Sequence, residues 1–128
     1  MTWKTAFVLL GTAGAALLFS AGAANAQSDA ALAKRGQTLW QTRGCAGCHG
    51  IGVLRAGPDL AGVTARRGKD WIRRWLHDTS GMMATDSTAM ELLKSYKGQK
   101  MPNQKLSEQD ADAIMAFINA EEAKQQKK

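Results

Sequence analysis

The sequence predicts an all-α fold built as one small domain. Several segments between residues 28 and 120 repeat apolar residues every three or four positions, the spacing that gives a helix one apolar face. No stretch alternates apolar and polar residues as a half-buried strand would. A chain of 128 residues is long enough for a single domain and no more. Helices joined by glycine-containing loops are therefore expected throughout.

The first predicted helix begins at the capping residues Ser28 and Asp29 and ends at about Gln41. Gly36 lies on its apolar face, although glycine lowers the stability of a helix interior. A glycine at such a place indicates that another helix passes close by. The full face consists of Leu32, Gly36, Leu39 and Trp40.

The motif that most restricts function is C-x-x-C-H, formed by Cys45, Cys48 and His49. Residues three and four apart share one face of a helical turn, so the two thiols and the imidazole can face one flat macrocycle. The thiols can then add to the two vinyl groups of a haem while the imidazole ligates its iron. The alternatives are a redox-active cysteine pair beside an unrelated histidine, or half of a zinc site. The chain has only two cysteines, which excludes a four-thiolate zinc site.

Residues 50–63 are predicted to form a loop, because they contain four glycines and a proline. The apolar side chains of this loop are expected to cover the face and edge of the haem, and they are Ile51, Val53, Leu54, Leu60 and Val63. A basic stretch at residues 64–69 follows. Its arginines, Arg67 among them, are candidate donors to the haem propionates, because guanidinium binds a carboxylate through two hydrogen bonds. A solvated face and a docking surface for an acidic partner are the alternatives.

The second predicted helix covers residues 69–77 and carries a stripe of Trp71, Ile72, Trp75 and Leu76. Most of this stripe is expected in the core. A buried indole N–H needs an acceptor, so one indole of this stripe could donate to a propionate, and Trp71 is a candidate haem-binding residue. His77, the only other histidine, lies near the end of this helix and is an alternative second haem ligand.

Two further helices are predicted after a break at residues 80–83. The first of them runs from Asp86 or Ser87 to about residue 97, stops at Gly98, and has an apolar face of Ala89, Leu92, Leu93 and Tyr96. Ser107 caps the last helix, whose buried stripe consists of Ala111, Ile114, Phe117 and Ile118. The polar tail at residues 121–128 is expected to fray.

Residues 1–26 have the features of a secretory signal peptide. Lys4 gives a positive start, an uncharged and mostly apolar run follows, and residues 24–26 form an A-x-A cleavage site. Cleavage would leave residues 27–128 as a single-haem domain exported to the periplasm. The alternative is an uncleaved membrane anchor facing the periplasm, because the uncharged run at residues 5–25 is long enough to span a bilayer.

The mature chain resembles the class I c-type cytochromes, a family of small single-haem proteins, over nearly all of residues 29–120. The resemblance rests on features in a set order, which are Gly36 and Trp40, the C-x-x-C-H motif, Gly57-Pro58-Asp59-Leu60, Trp71, Met101-Pro102 and Phe117. It implies the cytochrome c fold, which is all-α with long loops and a haem crevice. The first and last helices of that fold cross near a right angle, so Gly36 and Trp40 would meet the last helix near Phe117.

The resemblance also assigns roles at the haem. Cys45 and Cys48 would carry one covalently bound haem c, and His49 would be the proximal ligand of its iron. The carbonyl of Pro58 would accept the imidazole N–H and fix the ring. Met101 would supply the opposite axial sulfur.

The residues themselves favour the same sixth ligand. Met101 precedes Pro102, which pushes its backbone to an extended conformation and holds it in a loop. Met82 and Met83, in the predicted break, are the alternatives. Ligation by His49 and Met101 would fill both axial positions of the iron.

These features predict an electron-transfer protein rather than an enzyme. Its partners would be redox proteins with acidic docking surfaces, drawn by positive charge around the exposed haem edge, for which Arg43, Arg55, Lys100 and Lys105 are the candidates. The alternatives are a haem subunit of a larger oxidoreductase and a haem enzyme with a displaceable sixth ligand. A thiol–disulfide oxidoreductase would need a βαβ context that is absent from the sequence. Nucleic-acid binding is not expected, because the charges are scattered, and the protein is expected to be a monomer.

Overall fold

The computed structural model describes residues 20–127, with side chains from residue 25 onward. This part of the chain is all-helical, as predicted. Its helices are α1 (Ser20–Thr42), α2 (Val63–Arg66), α3 (Lys69–His77), α4 (Thr79–Thr85), α5 (Ser87–Ser95) and α6 (Glu108–Gln125), with a short 3-10 turn at Cys45–Gly47. Long loops lie between that turn and α2 and between α5 and α6.

Helices α1 and α6 pack against each other at Gly36. A Cβ atom at Gly36 would overlap the carbonyl oxygen of Ala113 and would lie 2.8 Å from Cβ of Phe117. The rings of Trp40 and Phe117 are 5.7 Å apart between centroids and tilted by 52°, a geometry that aromatic pairs prefer. The close helix contact predicted from Gly36, and its partner Phe117, are confirmed.

The core lies between α1, α3 and α6. Its buried members are Trp40 from α1, Ile72 and Leu76 from α3, Leu106 from the loop, and Ala111, Ile114, Met115, Phe117 and Ile118 from α6. The predicted stripes of α3 and α6 therefore supply most of it. The stripe of α3 divides by depth, because Trp71 and Trp75 are only half-buried beside a large cavity.

The start of the first helix was predicted wrongly. Helix α1 is already formed at Ser20, the first residue that the structure describes, and passes through the expected cleavage site without interruption. Residues 20–26 are dominated by alanine, which has the highest helix propensity, so the helix extends through them. Its end at Thr42 lies one residue beyond the prediction. The remainder of the predicted signal peptide, residues 1–19, lies outside the described residues.

The predicted break at residues 80–83 is also wrong, because these residues belong to α4. The Asp78 carboxylate caps this helix by accepting the N–H of Gly81 at 3.0 Å. A side chain at residue 81 would overlap that carboxylate, so the glycine permits the cap instead of ending the helix. Met82 is 7% exposed, and its burial stabilises a helical segment whose local sequence has a low helix propensity.

Helix α5 ends near the predicted stop. The N–H of Gly98 donates to the carbonyl of Leu93 at 2.8 Å, and the N–H of Lys97 donates to that of Lys94 at 3.1 Å. These two bonds form a Schellman motif. Lys97 and Gly98 both have positive φ, 55° and 79°, so the helix proper ends at Ser95.

Helix α6 begins as predicted, with the Ser107 side chain accepting the N–H of Asp110 at 3.2 Å. It continues to Gln125, so the prediction of a frayed tail from residue 121 is wrong for residues 121–125. Within residues 20–127, no helix combines the length and the apolar character needed to cross a bilayer.

Candidate haem site

The C-x-x-C-H motif forms a compact turn directly after α1. Gly44 begins the turn with φ 72°, a left-handed conformation that glycine adopts without strain. The Cys45 carbonyl then accepts the N–H groups of Cys48 at 3.2 Å and His49 at 2.9 Å. Cys45 and His49 are half-buried while Cys48 is exposed, so the motif lies at the edge of the interior.

The imidazole of His49 is held by the loop that follows it. Its Nδ1 lies 2.9 Å from the carbonyl oxygen of Pro58. A carbonyl only accepts, so Nδ1 carries the proton and Nε2 keeps its lone pair for a metal. Gly57 lies against the same ring, because a Cβ there would be 2.7 Å from Cε1 of His49. The contact that the resemblance implies between residues 49 and 58 is present.

The loop at residues 50–62 is held by hydrogen bonds within itself and by hydrogen bonds to α6. Within the loop, the Asp59 carboxylate accepts the N–H groups of Gly52 at 2.7 Å and Ala61 at 2.9 Å. From outside it, the last turns of α6 contribute two bonds. Glu122 accepts the N–H of Gly62 at 2.9 Å, and Gln125 donates to the carbonyl of Ile51 at 2.6 Å. The polar end of α6 therefore positions the loop that orients His49.

A cavity of about 510 Å³ opens in front of His49. This volume lies within the roughly 300–1,000 Å³ typical of cofactor and ligand sites. Most of its lining is apolar, and its polar, ionisable or sulfur-containing members include Cys45, His49, Asp59, Arg66, Arg67, Met83, Tyr96, Gln99 and Met101. A smaller adjoining cavity of about 60 Å³ is lined by Cys48 and Lys100 and shares His49, Pro58 and Met101 with the first.

Met101 lies in the loop between α5 and α6, and that loop is tied to α3 and α4. The N–H of Leu106 donates to the carbonyl of Leu76 at 3.1 Å, and the side chain of Asn103 accepts the N–H of Thr79 at 3.2 Å. The indole Nε1 of Trp75 lies 3.2 Å from Sδ of Met101. Two bonds therefore hold the loop, and the third holds the sulfur itself beside the cavity.

Trp71 does not direct its N–H into the cavity as expected. Its Nε1 donates to Oδ1 of Asp86 at 3.2 Å, while its ring lines the cavity and stacks on Trp75 at 5.3 Å. The guanidinium of Arg67 lies over the Trp71 ring at 5.5 Å. Asp86 also caps α5, and the pKa of its carboxyl is lowered first by the Ala89 N–H and also by the Trp71 N–H.

One alternative ligand and two of the expected covering side chains do not line the cavity. His77 does not line either cavity, and its Nδ1 lies 3.0 Å from the carbonyl oxygen of Leu106, so it serves the loop instead of the metal site. Neither Ile51 nor Val53 lines the cavity. Leu54, Leu60 and Val63 do line it.

Other cavity residues were not placed there from the sequence. Met83, the alternative ligand expected in a break, lines the cavity from α4, a helix that was not predicted. Tyr96 was placed on the apolar face of its helix, and its position at the cavity follows from that periodicity once the fold is known. Gln99, also in the lining, follows no pattern that would have revealed it.

The position of the Cys45 thiol makes it less acidic than a free cysteine thiol. Burial beside the cavity raises its pKa, and the opposing effects of a backbone hydrogen bond and of Arg43 do not offset this. The thiol therefore stays protonated at neutral pH.

Among residues 20–127, no three His, Cys, Asp or Glu side chains gather as ligands for a metal ion.

A family model described as Cytochrome c matches residues 33–121. The chain belongs to the cytochrome c family. This cytochrome is also similar to solved structures, among them cytochrome c from Rhodothermus marinus, with 33% identity, a TM-score of 0.68, and coverage of 75% of this chain and 81% of the other. No curated protein sequence matches the chain.

Two engineered forms of the Rhodothermus marinus protein are similar as well. One shares 33% identity with this cytochrome at a TM-score of 0.66, covering 74% of this chain and 81% of the other. The second, which is bound to a carbene intermediate, shares 33% identity at a TM-score of 0.63, with coverage of 74% and 80%.

The cofactor of this family is haem c, an iron porphyrin bound covalently to the protein, and the residues present fit it. The Cys45 thiol and the His49 imidazole line a largely apolar cavity of about 510 Å³, and the Cys48 thiol lines the smaller cavity beside it. The thioether of Met101 lines the same cavity. The cytochrome is therefore a haem c electron-transfer protein.

Proposed function

We propose that this cytochrome carries single electrons at a haem c with His49 and Met101 as the two axial ligands. The observation that supports this most directly is that both side chains line the same cavity. When bound, the haem supplies an iron that alternates between the ferrous and ferric states. The chain supplies two fixed ligands, an apolar surround and an exposed edge at Cys48.

Each ligand is held before it meets the metal. Pro58 keeps the proton on Nδ1 of His49, which leaves Nε2 as the donor and prevents the ring from turning. Met101 is fixed by the bonds of its loop to α3 and α4. Preorganised ligands reduce the structural change that accompanies electron transfer, and methionine opposite histidine raises the reduction potential.

Met83 is the competing sulfur, since it also lines the cavity. It belongs to α4, whose backbone is set by the Asp78 cap, whereas Met101 lies in an extended loop before Pro102. Met101 is also the sulfur that accepts a hydrogen bond. We therefore assign the sixth position to Met101.

The assignment is tested on haem-loaded protein with Met101→Ala and the matched Met83→Ala. We expect the ferric near-infrared sulfur-to-iron band in the wild type, its loss in Met101→Ala, and its retention in Met83→Ala. Carbon monoxide should bind the ferrous Met101→Ala protein tightly and the wild type poorly. Loss of the band in Met83→Ala with retention in Met101→Ala would reverse the assignment. Tight binding of carbon monoxide to the wild type would favour a haem enzyme with a displaceable ligand.

The propionates are proposed to meet Arg67 at the cavity wall. Its guanidinium lies over the Trp71 ring, 5.5 Å from the centroid, and this cation–π contact does not use its N–H groups. Trp71 then contributes its ring and not its N–H, which Asp86 already accepts. Arg67→Lys should lower the reduction potential less than Arg67→Ala, because only the first keeps the charge.

We propose that the cytochrome is exported to the periplasm after cleavage behind Ala26. The support is the A-x-A site at residues 24–26 and the apolar run before it. The mass of the mature protein tests this directly, since a chain that begins at Gln27 and carries one haem has a defined mass. A mass that includes residues 1–26 would favour the anchored alternative.

Redox proteins with acidic docking surfaces are the proposed partners of a monomeric carrier. Lys100 lies beside Cys48 in the small cavity, and Arg55 donates to the Ala46 carbonyl at 3.3 Å, so positive charge borders the exposed edge. Reduction by an acidic donor should be slowed by salt and by Lys100→Glu, whereas Lys34→Glu, at an exposed position of α1, should have a smaller effect. Co-purification with a larger oxidoreductase would identify the cytochrome as a subunit instead.

A further inference from the structure

The indole of Trp75 has no counterpart among the other tryptophans of the described chain. Trp75 lies in α3, is half-buried, and stacks almost parallel to Trp71, with 5.3 Å between ring centroids and 9° between planes. The Trp71 N–H points to Asp86, a helix cap. The Trp75 N–H points instead to Sδ of Met101 at 3.2 Å.

The position of this N–H is set by packing on both sides. The stack with Trp71 fixes the plane of the Trp75 ring, and α3 is anchored to the core through Ile72 and Leu76. The Met101 loop is anchored to the same helix, because the N–H of Leu106 donates to the Leu76 carbonyl at 3.1 Å. The Trp75 N–H and the Met101 sulfur therefore lie on two segments that are attached to each other.

A thioether sulfur has two lone pairs. One can bind a metal, and the other can accept a hydrogen bond. A donor on the second lone pair withdraws electron density and makes the sulfur a poorer ligand. The ferric protein gains more from a donating ligand than the ferrous protein does, so the bond favours the ferrous state. Hydrogen bonds to ligating atoms are a recognised means of tuning metal centres.

We propose that the Trp75 N–H donates to the axial sulfur of Met101 and thereby raises the reduction potential of this cytochrome. This inference rests on the proposed ligation by Met101. Trp75 is a positioning residue, since it acts on the metal through another side chain. It also keeps the sulfur directed at the cavity.

The test compares haem-loaded wild type with Trp75→Phe and with the matched Trp71→Phe, which loses an N–H from the same stack but not the one at sulfur. At a fixed solution potential, we expect Trp75→Phe to reduce the ratio of ferrous to ferric protein by about threefold to tenfold, the scale of one hydrogen bond. A tenfold change corresponds to about 59 mV for one electron. The ferric near-infrared band should shift in position in Trp75→Phe and stay in place in Trp71→Phe.

The outcomes separate the possibilities. An unchanged band in Trp75→Phe would overturn the proposal. The same holds if the reduction potential changes while the band does not, because the N–H would then donate to a propionate and not to the sulfur. Equal shifts in both variants would show an effect of the stack and would also overturn it. Absence of the band in the wild type would instead refute ligation by methionine, which is the proposed function and not this inference.

A measurement on the wild type alone covers the case in which Trp75→Phe does not mature. In the ferrous protein labelled with ¹⁵N, the Trp75 indole N–H is identified by its NOEs to the Trp71 ring. We expect slow exchange with solvent and NOEs to the Met101 side chain. Rapid exchange, or the absence of those NOEs, would overturn the proposal.

Discussion

Replacement of Gly36 by alanine tests whether the α1–α6 contact holds this fold together. The new Cβ would overlap the Ala113 carbonyl oxygen and lie 2.5 Å from its carbon and 2.8 Å from Cβ of Phe117. Carbon atoms pack at about 3.5–4.0 Å, and the carbonyl oxygen lies closer still, so the helices must separate by at least about 1 Å at their closest point. The Trp40–Phe117 pair lies one turn away and would be separated with them.

The expected loss follows from two opposing effects. Alanine in place of glycine stabilises a helix interior by about 1 kcal/mol. Overpacking costs about 1–3 kcal/mol and occasionally more, and a gap of 0.5–1 Å forfeits roughly a quarter to a half of each contact energy. With backbone as the obstacle we take the upper part of that range, and we expect Gly36→Ala to lower the free energy of unfolding by about 2 kcal/mol.

Denaturant unfolding of the haem-loaded protein, followed by circular dichroism, measures this loss. The matched control is Gln37→Ala, at the exposed neighbouring position of the same helix, where only helix propensity changes and stability should vary by less than about 0.5 kcal/mol. A Gly36→Ala protein as stable as the wild type would refute the reasoning. It would show that the two helices can separate without loss.

Two further predictions concern α6. The pKa of Asp112 is lowered first by hydrogen bonds from Arg73, at 2.8 Å. The ionised carboxylate therefore stabilises the fold at any pH above its ordinary pKa near 3.8. This contribution is lost as the pH falls below that value. Asp112→Asn should therefore lower the melting temperature at pH 7 and make little difference in strong acid; an equal deficit at every pH would contradict this. Glu122→Ala should speed amide hydrogen exchange at Gly62, measured by NMR, whereas Lys124→Ala should not, and equal rates in both variants would show that Glu122 does not hold the loop.

The local features of the fold could be predicted because they depend on neighbouring residues. The Ser107 cap and the stop at Gly98 each involve groups within five positions. The apolar stripes follow from the helical period alone. The error at Gly81 also comes from judging the local sequence alone. Glycine has a low helix propensity, which predicted a break, but it is required here because the Asp78 carboxylate lies too close for a side chain.

The haem chemistry was likewise a local signal, since Cys45, Cys48 and His49 are brought together by a single turn. The distribution of hydrogen bonds around the cavity was not. Nothing in the spacing of Trp71 and Trp75 says which indole meets Asp86 and which meets Met101. Each bond joins segments at least 15 residues apart.

The sequence by itself determined the cofactor, the helical class and the close approach at Gly36, because a covalent attachment motif, a helical period and a missing side chain are properties of the chain. The tertiary structure decided how the ligands are held. It placed the end of α6 against the loop that orients His49, and it set the Trp75 N–H on the sulfur of Met101. Those contacts depend on the packing of distant helices, so they exist only once the chain has folded.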